Sequence, residues 1–132
     1  MDQLIAKIVA QVGLDEATAR RAVGIILSMF AKEGPADKVN ELIASMPGAA
    51  ELLADAPEPS SGSGGGLSGM LAGALGGAGP IMETLGNLQA QGLSVDQAKQ
   101  VGQEVAGFAR EKAGDDVVKE IAAAIPGLSN IM

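Results

Sequence analysis

The chain of 132 residues contains no cysteine, no histidine, no tryptophan and no tyrosine. These absences exclude disulfides, thiol nucleophiles, most structural zinc sites and the usual general base near neutral pH. No nucleophile with a partner base and no P-loop motif can be recognised either. We therefore expect a protein that is not an enzyme and that uses no cofactor, no metal site and no catalytic residues.

Basic and aromatic residues are also scarce. Aromatic residues make up 2% of the chain, and 16 acidic residues against 9 basic ones give a net charge of −7. The net charge is distributed evenly along the chain, because residues 1–55 and residues 81–132 each carry −3. A basic face for a phosphate backbone is missing, and so are aromatic platforms for single-stranded bases. We expect no nucleic-acid partner.

Apolar residues are plentiful, at 47% of the chain, and Phe30 and Phe108 are the only rings among them. Abundant alanine and few β-formers favour helices. The N-terminus, Met1 to Leu4, has no basic region before its first apolar residues, so it does not have the pattern of a secretion signal. We expect a cytoplasmic location.

An internal repeat is the most informative feature that is present. Residues 13–53 align without gaps on residues 92–132. Two alanine-rich amphipathic helices resemble each other in any case. The Gly-Leu and Pro-Gly pairs, however, recur at fixed spacing, which favours a true duplication. About fifty residues bury too little surface to be stable alone, so the copies should pack on each other, within one chain or across a dimer. The register rests on Gly13-Leu14 with Gly92-Leu93, Asp37 with Asp116, Glu41 with Glu120, and Pro47-Gly48 with Pro126-Gly127.

Apolar spacing and end signals predict the helices of the first copy. We expect helices over residues 2–12 and 16–33, with Asp15 as the N-cap of the second. A third should begin with Pro35 in its first turn, and a short one should span residues 49–54.

The second copy repeats this pattern. Ser94 and Gln97 have capping-box spacing before its second helix, and its third helix should start at Asp115 or Asp116. Gly102 and Gly107 weaken the second helix, which close packing against a neighbouring backbone would explain. The fold class is therefore all-α, with two tandem copies of a three- to four-helix unit packed as a helical bundle. The predicted parts are a first repeat (1–55), a linker rich in Gly, Ser and Pro (56–80) and a second repeat (81–132).

Two regions are candidates for an interaction surface. The helix over 16–33 is apolar nearly all round, because Ile25 and Leu27 lie outside its main apolar face; such a helix is central or is covered by a second partner. The other region is the uncharged segment from Leu67 to Met82. It contains glycines four residues apart, which would form a groove on the surface of a helix. The candidate residues are Ile25, Leu27, Gly69, Leu71, Gly73, Leu75 and Gly77.

The uncharged segment has three interpretations: a mobile tether, a helix-packing or self-association segment, and a membrane contact. A bilayer span needs about 20 predominantly apolar residues, which its glycines do not allow. Carboxylates four apart, Asp37 with Glu41 and Asp116 with Glu120, could form an acidic face for a divalent cation. The alternative for these carboxylates is an ordinary solvated helix face.

The residues around the predicted helix ends also show a resemblance to known families. Residues Gly13-Leu14-Asp15, Gly34-Pro35-Ala36-Asp37 and Met46-Pro47-Gly48 resemble bacterial proteins of the domain of unknown function 2267. In the second copy, Leu93 to Gln97 and Ile125-Pro126-Gly127 are similar to the VcgC/VcgE-type domain of unknown function 2780. The resemblance implies a small all-helical bacterial protein and brings no catalytic residues.

The leading hypothesis is a non-enzymatic module that binds a second copy of itself or another protein through helix faces. The alternative is a peripheral membrane or lipid-binding protein that uses the uncharged segment. A small-ligand binder or a carboxylate-based enzyme is the third possibility.

Overall fold

The computed structural model describes residues 2–55 and 79–125, and all regular secondary structure in these ranges is helical. The all-α prediction is thus confirmed. The helices are α1 (Asp2–Val12), α2 (Glu16–Glu33), α3 (Ala36–Ser45), α4 (Ala49–Asp55), α5 (Gly79–Ala90), α6 (Val95–Ala113) and α7 (Asp115–Ala124).

Side-chain caps start the two longest helices, as predicted. The Asp15 carboxylate accepts a hydrogen bond from the Thr18 backbone N–H at 3.4 Å, before α2. Before α6, the Ser94 hydroxyl accepts from the Gln97 N–H at 3.2 Å, while the Gln97 side chain accepts from the Ser94 N–H at 2.9 Å. These bonds satisfy N–H groups that have no partner within the helix.

The helix boundaries differ from the prediction in two places. Helix α5 begins at Gly79, two residues before the predicted second repeat. Pro35 is the N-cap of α3 rather than a residue of its first turn. Helix α7 begins at Asp115, as predicted. Gly114, whose φ of +102° favours glycine, both ends α6 and precedes α7, so the link between these two helices is a single residue.

Helix α2 lies at the centre of the molecule. It contacts each of the other six described helices. Nine of its eighteen residues are buried, including every residue from Ala22 to Leu27, so its apolar residues on all sides have partners within the chain. Helix α6 is buried on one face only, through Ala98, Val101, Val105, Ala106 and Ala109.

The contacts between the first half (residues 2–55) and the second half (residues 79–125) are reciprocal. Helix α1 packs on α6, and α5 packs on α2. Helix α3 packs on α6, and α7 packs on α2. The remaining pairs, α2 with α6 and α3 with α7, join helices that occupy the same place in the two halves. This is the contact pattern of an isologous interface, in which two copies present the same surface to each other.

Two pairs of helices start at the same spacing in the two halves. Helices α6 and α7 each begin 79 residues after α2 and α3. The turns that precede α2 and α6 both contain a glycine with positive φ, Gly13 at +84° and Gly92 at +98°. Local geometry is therefore repeated along with the order of the helices.

The two halves approach each other closely beside Gly34, where the chain passes from α2 to α3. A Cβ atom at this position would lie 2.7 Å from the Phe30 carbonyl oxygen and 2.9 Å from Val39 Cγ2. It would also lie 3.2 Å from Ile121 Cγ2, which belongs to α7. Glycine is needed here for space, since its φ of −82° suits any residue.

Candidate interaction surface

The two predicted interface residues of α2 belong to the core. Ile25 is 4% exposed and Leu27 is 1% exposed, and both pack in the hydrophobic cluster that joins the two halves. Of the two sequence alternatives, a central helix or a helix covered by a partner, the structure has the central helix. These side chains hold the bundle together and do not present a surface open to a second molecule.

The other predicted interface residues, Gly69, Leu71, Gly73, Leu75 and Gly77, lie outside the described residues. The interpretations of the uncharged segment as a tether, a packing helix or a membrane contact therefore stay predictions. None of the helices in residues 2–55 and 79–125 combines the length and the apolar character that crossing a bilayer requires.

The described surface has little apolar character. Val95, at the start of α6, is the one exposed large hydrophobic residue in residues 2–54 and 84–125, at 43% exposure. Single exposed apolar residues are normal on soluble proteins and do not form a binding patch. The extensive apolar contact surface of the described chain lies between its halves.

Polar contacts cross between the halves at the edge of this apolar surface. Lys7 of α1 pairs with Glu104 of α6, with 3.0 Å between Nζ and Oε2. The Glu104 side chain is 19% exposed, so this pair is partly shielded from water. Nearby, Gln97 Nε2 donates to the Val12 carbonyl oxygen at 3.3 Å. Both contacts fix the end of α1 against α6.

A second polar contact joins α3 to α7. Lys38 Nζ lies 3.3 Å from Glu120 Oε2 and 3.6 Å from Glu41 Oε2. Glu41 and Glu120 are equivalent residues in the repeat register, so one lysine pairs with the same carboxylate from each half. The hydrogen bond to Glu120, together with the charges of Glu120 and Glu41, raises the pKa of Lys38.

This arrangement bears on the predicted acidic face. Glu41 and Glu120 do come together, but Lys38 lies between them and neutralises part of their charge. In the described ranges, no group of three or more acidic residues is placed to hold a metal ion. The geometry at this point suits a contact between helices better than a cation site.

Further ion pairs in the described residues lie within one half, and Arg20 of α2 reaches Asp2 of α1 at 3.9 Å. Arg20 pairs with Glu16 at 3.1 Å within α2. At the start of α7, Asp115 lies 2.6 Å from Lys119 and 3.4 Å from Arg110. The hydrogen bond from Lys119 lowers the pKa of Asp115 and raises that of Lys119. A pair on the surface of this kind contributes little to stability, so we assign these residues no functional role.

Helices α2 and α6 differ on one side. Gly24 and Ile25 of α2 are buried, whereas the aligned residues of α6 are Gln103, which is exposed, and the partly buried Glu104. Helix α4 packs on α2 in the first half. The sequence difference therefore follows the difference in burial: apolar or small residues where α2 is enclosed, polar residues where α6 meets water.

The explanation predicted for the glycines of α6 is wrong. A Cβ atom at Gly102 or at Gly107 would meet nothing within 4 Å, so neither residue allows a close approach of another backbone in residues 2–55 and 79–125. Both sit in an ordinary helical conformation without positive φ. Close packing occurs instead at Gly34, where α2 ends.

A match to the family described as "Protein of unknown function VcgC/VcgE (DUF2780)" covers residues 1–125 and so includes both halves. A comparison with curated proteins gave no match, and a comparison with solved structures gave none.

Proposed function

The chain belongs to the VcgC/VcgE family of unknown function, and from its architecture we propose that it is a protein–protein interaction module that associates with a second copy of itself. The observation that carries this proposal is the reciprocal interface between the halves. A unit that already pairs with a near-copy of itself has a surface suited to self-association.

The same observation supports a duplication. Helices α6 and α7 start 79 residues after α2 and α3, glycine turns recur at equivalent places, and the contacts between the halves are reciprocal. We propose that residues 56–80 link two copies of one helical unit. The resemblance of the first copy to the domain of unknown function 2267 is a further proposal, which a profile comparison of residues 1–55 alone would test.

We propose that the protein is not an enzyme and acts in the cytoplasm. The support is chemical: the chain has no histidine or cysteine, and the carboxylates that come together across the halves are paired with Lys38. Binding to lipid through Leu67–Met82 is the second candidate, because that stretch carries no charge over sixteen residues. A protein that stays at the bottom of a flotation gradient with neutral and anionic vesicles would exclude lipid binding.

The test of self-association is the absolute mass in solution at several concentrations, measured by size exclusion with light scattering. Refractive index must serve as the detector, since the chain has no tryptophan or tyrosine. We expect a mass that rises above 13.1 kDa as the concentration increases. A mass of one chain at every concentration, including after refolding at high concentration, would rule out self-association.

A further inference from the structure

We propose that two copies of this chain associate by exchanging halves, so that the first half of each packs on the second half of the other. This inference rests on the proposed self-association and specifies its geometry. The partner is a second copy of the chain, and the surface it occupies is the one that the chain's own other half covers in the structure.

The distribution of apolar surface points to exchange rather than to contact between outer faces. Stable interfaces bury about 1,200–2,000 Å² in total around an apolar centre. Among residues 2–54 and 84–125, whose side chains the structure describes, one large hydrophobic side chain, Val95, is exposed. Core residues of both halves, among them Ile8, Val105 and Ile121, belong to one hydrophobic cluster. Within these residues, a second copy therefore finds a large apolar surface by taking the place of a half.

Polar contacts specify which half pairs with which. Lys7 meets Glu104 across the interface, but the residue of the first half aligned with Glu104 is Ile25. Pairing two first halves would thus set Lys7 against an isoleucine and lose the ion pair. Lys38 also pairs with Glu120 of the second half. These contacts favour first half with second half, and they are satisfied equally within one chain or between two.

Exchange preserves every contact between the halves and changes only how they are connected. Residues 56–78, 23 residues in all, join the two described ranges. Halves tethered in one chain meet at an effective concentration on the order of mM. A closed single chain is therefore favoured in dilute solution, and exchange becomes competitive when chains fold together at high concentration.

Two charge-reversed chains test the proposal. One carries Lys7→Glu and Lys38→Glu, and the other carries Glu104→Lys and Glu120→Lys. Each chain alone sets like charges against each other at both cross-half contacts. In an exchanged mixed dimer, every one of these contacts joins opposite charges again. The matched control is a single chain with all four substitutions, in which both contacts are restored internally.

The two chains are unfolded in denaturant, mixed in equal amounts and refolded at high concentration. Light scattering gives the mass of the products, and ion exchange separates mixed from unmixed dimers because the two chains differ in net charge. We expect mixed dimers, at about twice 13.1 kDa, in severalfold greater proportion than the dimers formed by either reversed chain alone or by the control chain. Monomers alone, or mixed and unmixed dimers in the proportions given by chance, would overturn exchange. If a reversed chain does not fold by itself, helical circular dichroism should appear on mixing, and its continued absence would also overturn exchange.

The outcomes separate this inference from the proposed function. A wild-type chain that dimerises while the reversed chains show no preference for each other rejects exchange and leaves self-association standing. A wild-type chain that stays monomeric rejects self-association as the function. If the reversed chains nevertheless form mixed dimers, the preference of a first half for a second half is confirmed, independently of self-association by the wild-type chain.

Discussion

Replacing Gly34 by alanine should destabilise the fold because the added methyl group has no room. The ideal Cβ would lie 2.7 Å from the Phe30 carbonyl oxygen and 2.9 Å from Val39 Cγ2, against about 3.5–4.0 Å for relaxed contacts between carbon atoms. The oxygen is backbone and cannot rotate away, and Val39 is 4% exposed, so it has no free space to enter. Overpacking of this kind costs about 1–3 kcal/mol.

Two matched controls carry the same substitution in the same protein. Gly102 and Gly107 lie inside α6, and a Cβ atom at either would meet nothing within 4 Å. Alanine there should stabilise the helix by up to about 1 kcal/mol each. The three variants would be compared by urea denaturation followed by far-UV circular dichroism. We expect Gly34→Ala to unfold at lower denaturant concentration than wild type, and Gly102→Ala and Gly107→Ala at higher.

The comparison is informative because Gly34→Ala should lower the free energy of unfolding, whereas the two α6 variants should raise it. A change of 1 kcal/mol corresponds to roughly 3–6 °C in Tm for a domain of this size. A Gly34→Ala variant as stable as wild type would show that the approach of α3 to α7 is looser than described. Loss of stability in both α6 variants would mean that these glycines have a packing role after all.

Three further predictions concern caps, core and pH. Ser94→Ala should cost about 1 kcal/mol and more than Asp15→Ala, because the Ser94 bonds are shorter and reciprocal; thermal melts that rank the two the other way would contradict this. Leu27→Ala should cost about 2–5 kcal/mol, since Leu27 is 1% exposed; a chain of wild-type stability with altered oligomeric state would instead mark Leu27 as a surface residue. The pKa values of Asp15 and Asp115 are lowered, so their contributions to stability are present above the unfolded value of about 3.9 and are lost as the pH falls. The pKa of Lys38 is raised, so its contribution to stability is present below about 10.4 and is lost as the pH rises. Because the chain has no histidine, cysteine or tyrosine, Tm should be nearly constant between those limits, and a step near pH 6–7 would refute this assignment.

Local signals in the sequence were sufficient to predict the helices. Asp15 and Ser94 are cap residues whose hydrogen bonds lie within three residues, so the sequence alone locates where α2 and α6 begin. Apolar spacing likewise predicted α1 over residues 2–12. These features depend on neighbours along the chain, which is why reasoning from spacing succeeded.

Contacts between distant residues were beyond the sequence. The pairing of Lys7 with Glu104 joins residues far apart in the chain, and periodicity says nothing about such partners. Whether Ile25 and Leu27 face a partner or the interior depends on where other helices pack around α2, and each outcome has the same sequence pattern. The packing explanation for Gly102 was wrong, and the tight space at Gly34 was not predicted, for the same reason: the space around a glycine is set by other elements.

The pairing of Ile25 with Glu104 in the repeat register has an evolutionary consequence. In a dimer of identical chains, every substitution appears twice, on both sides of the symmetry axis, and each position must suit both environments. Once two copies share one gene, each position mutates independently. Under the proposed duplication, the first copy could acquire an isoleucine inside the core while the second acquired a glutamate that meets Lys7. A charge accepted at position 104 would be strongly destabilising at position 25, where the side chain is buried.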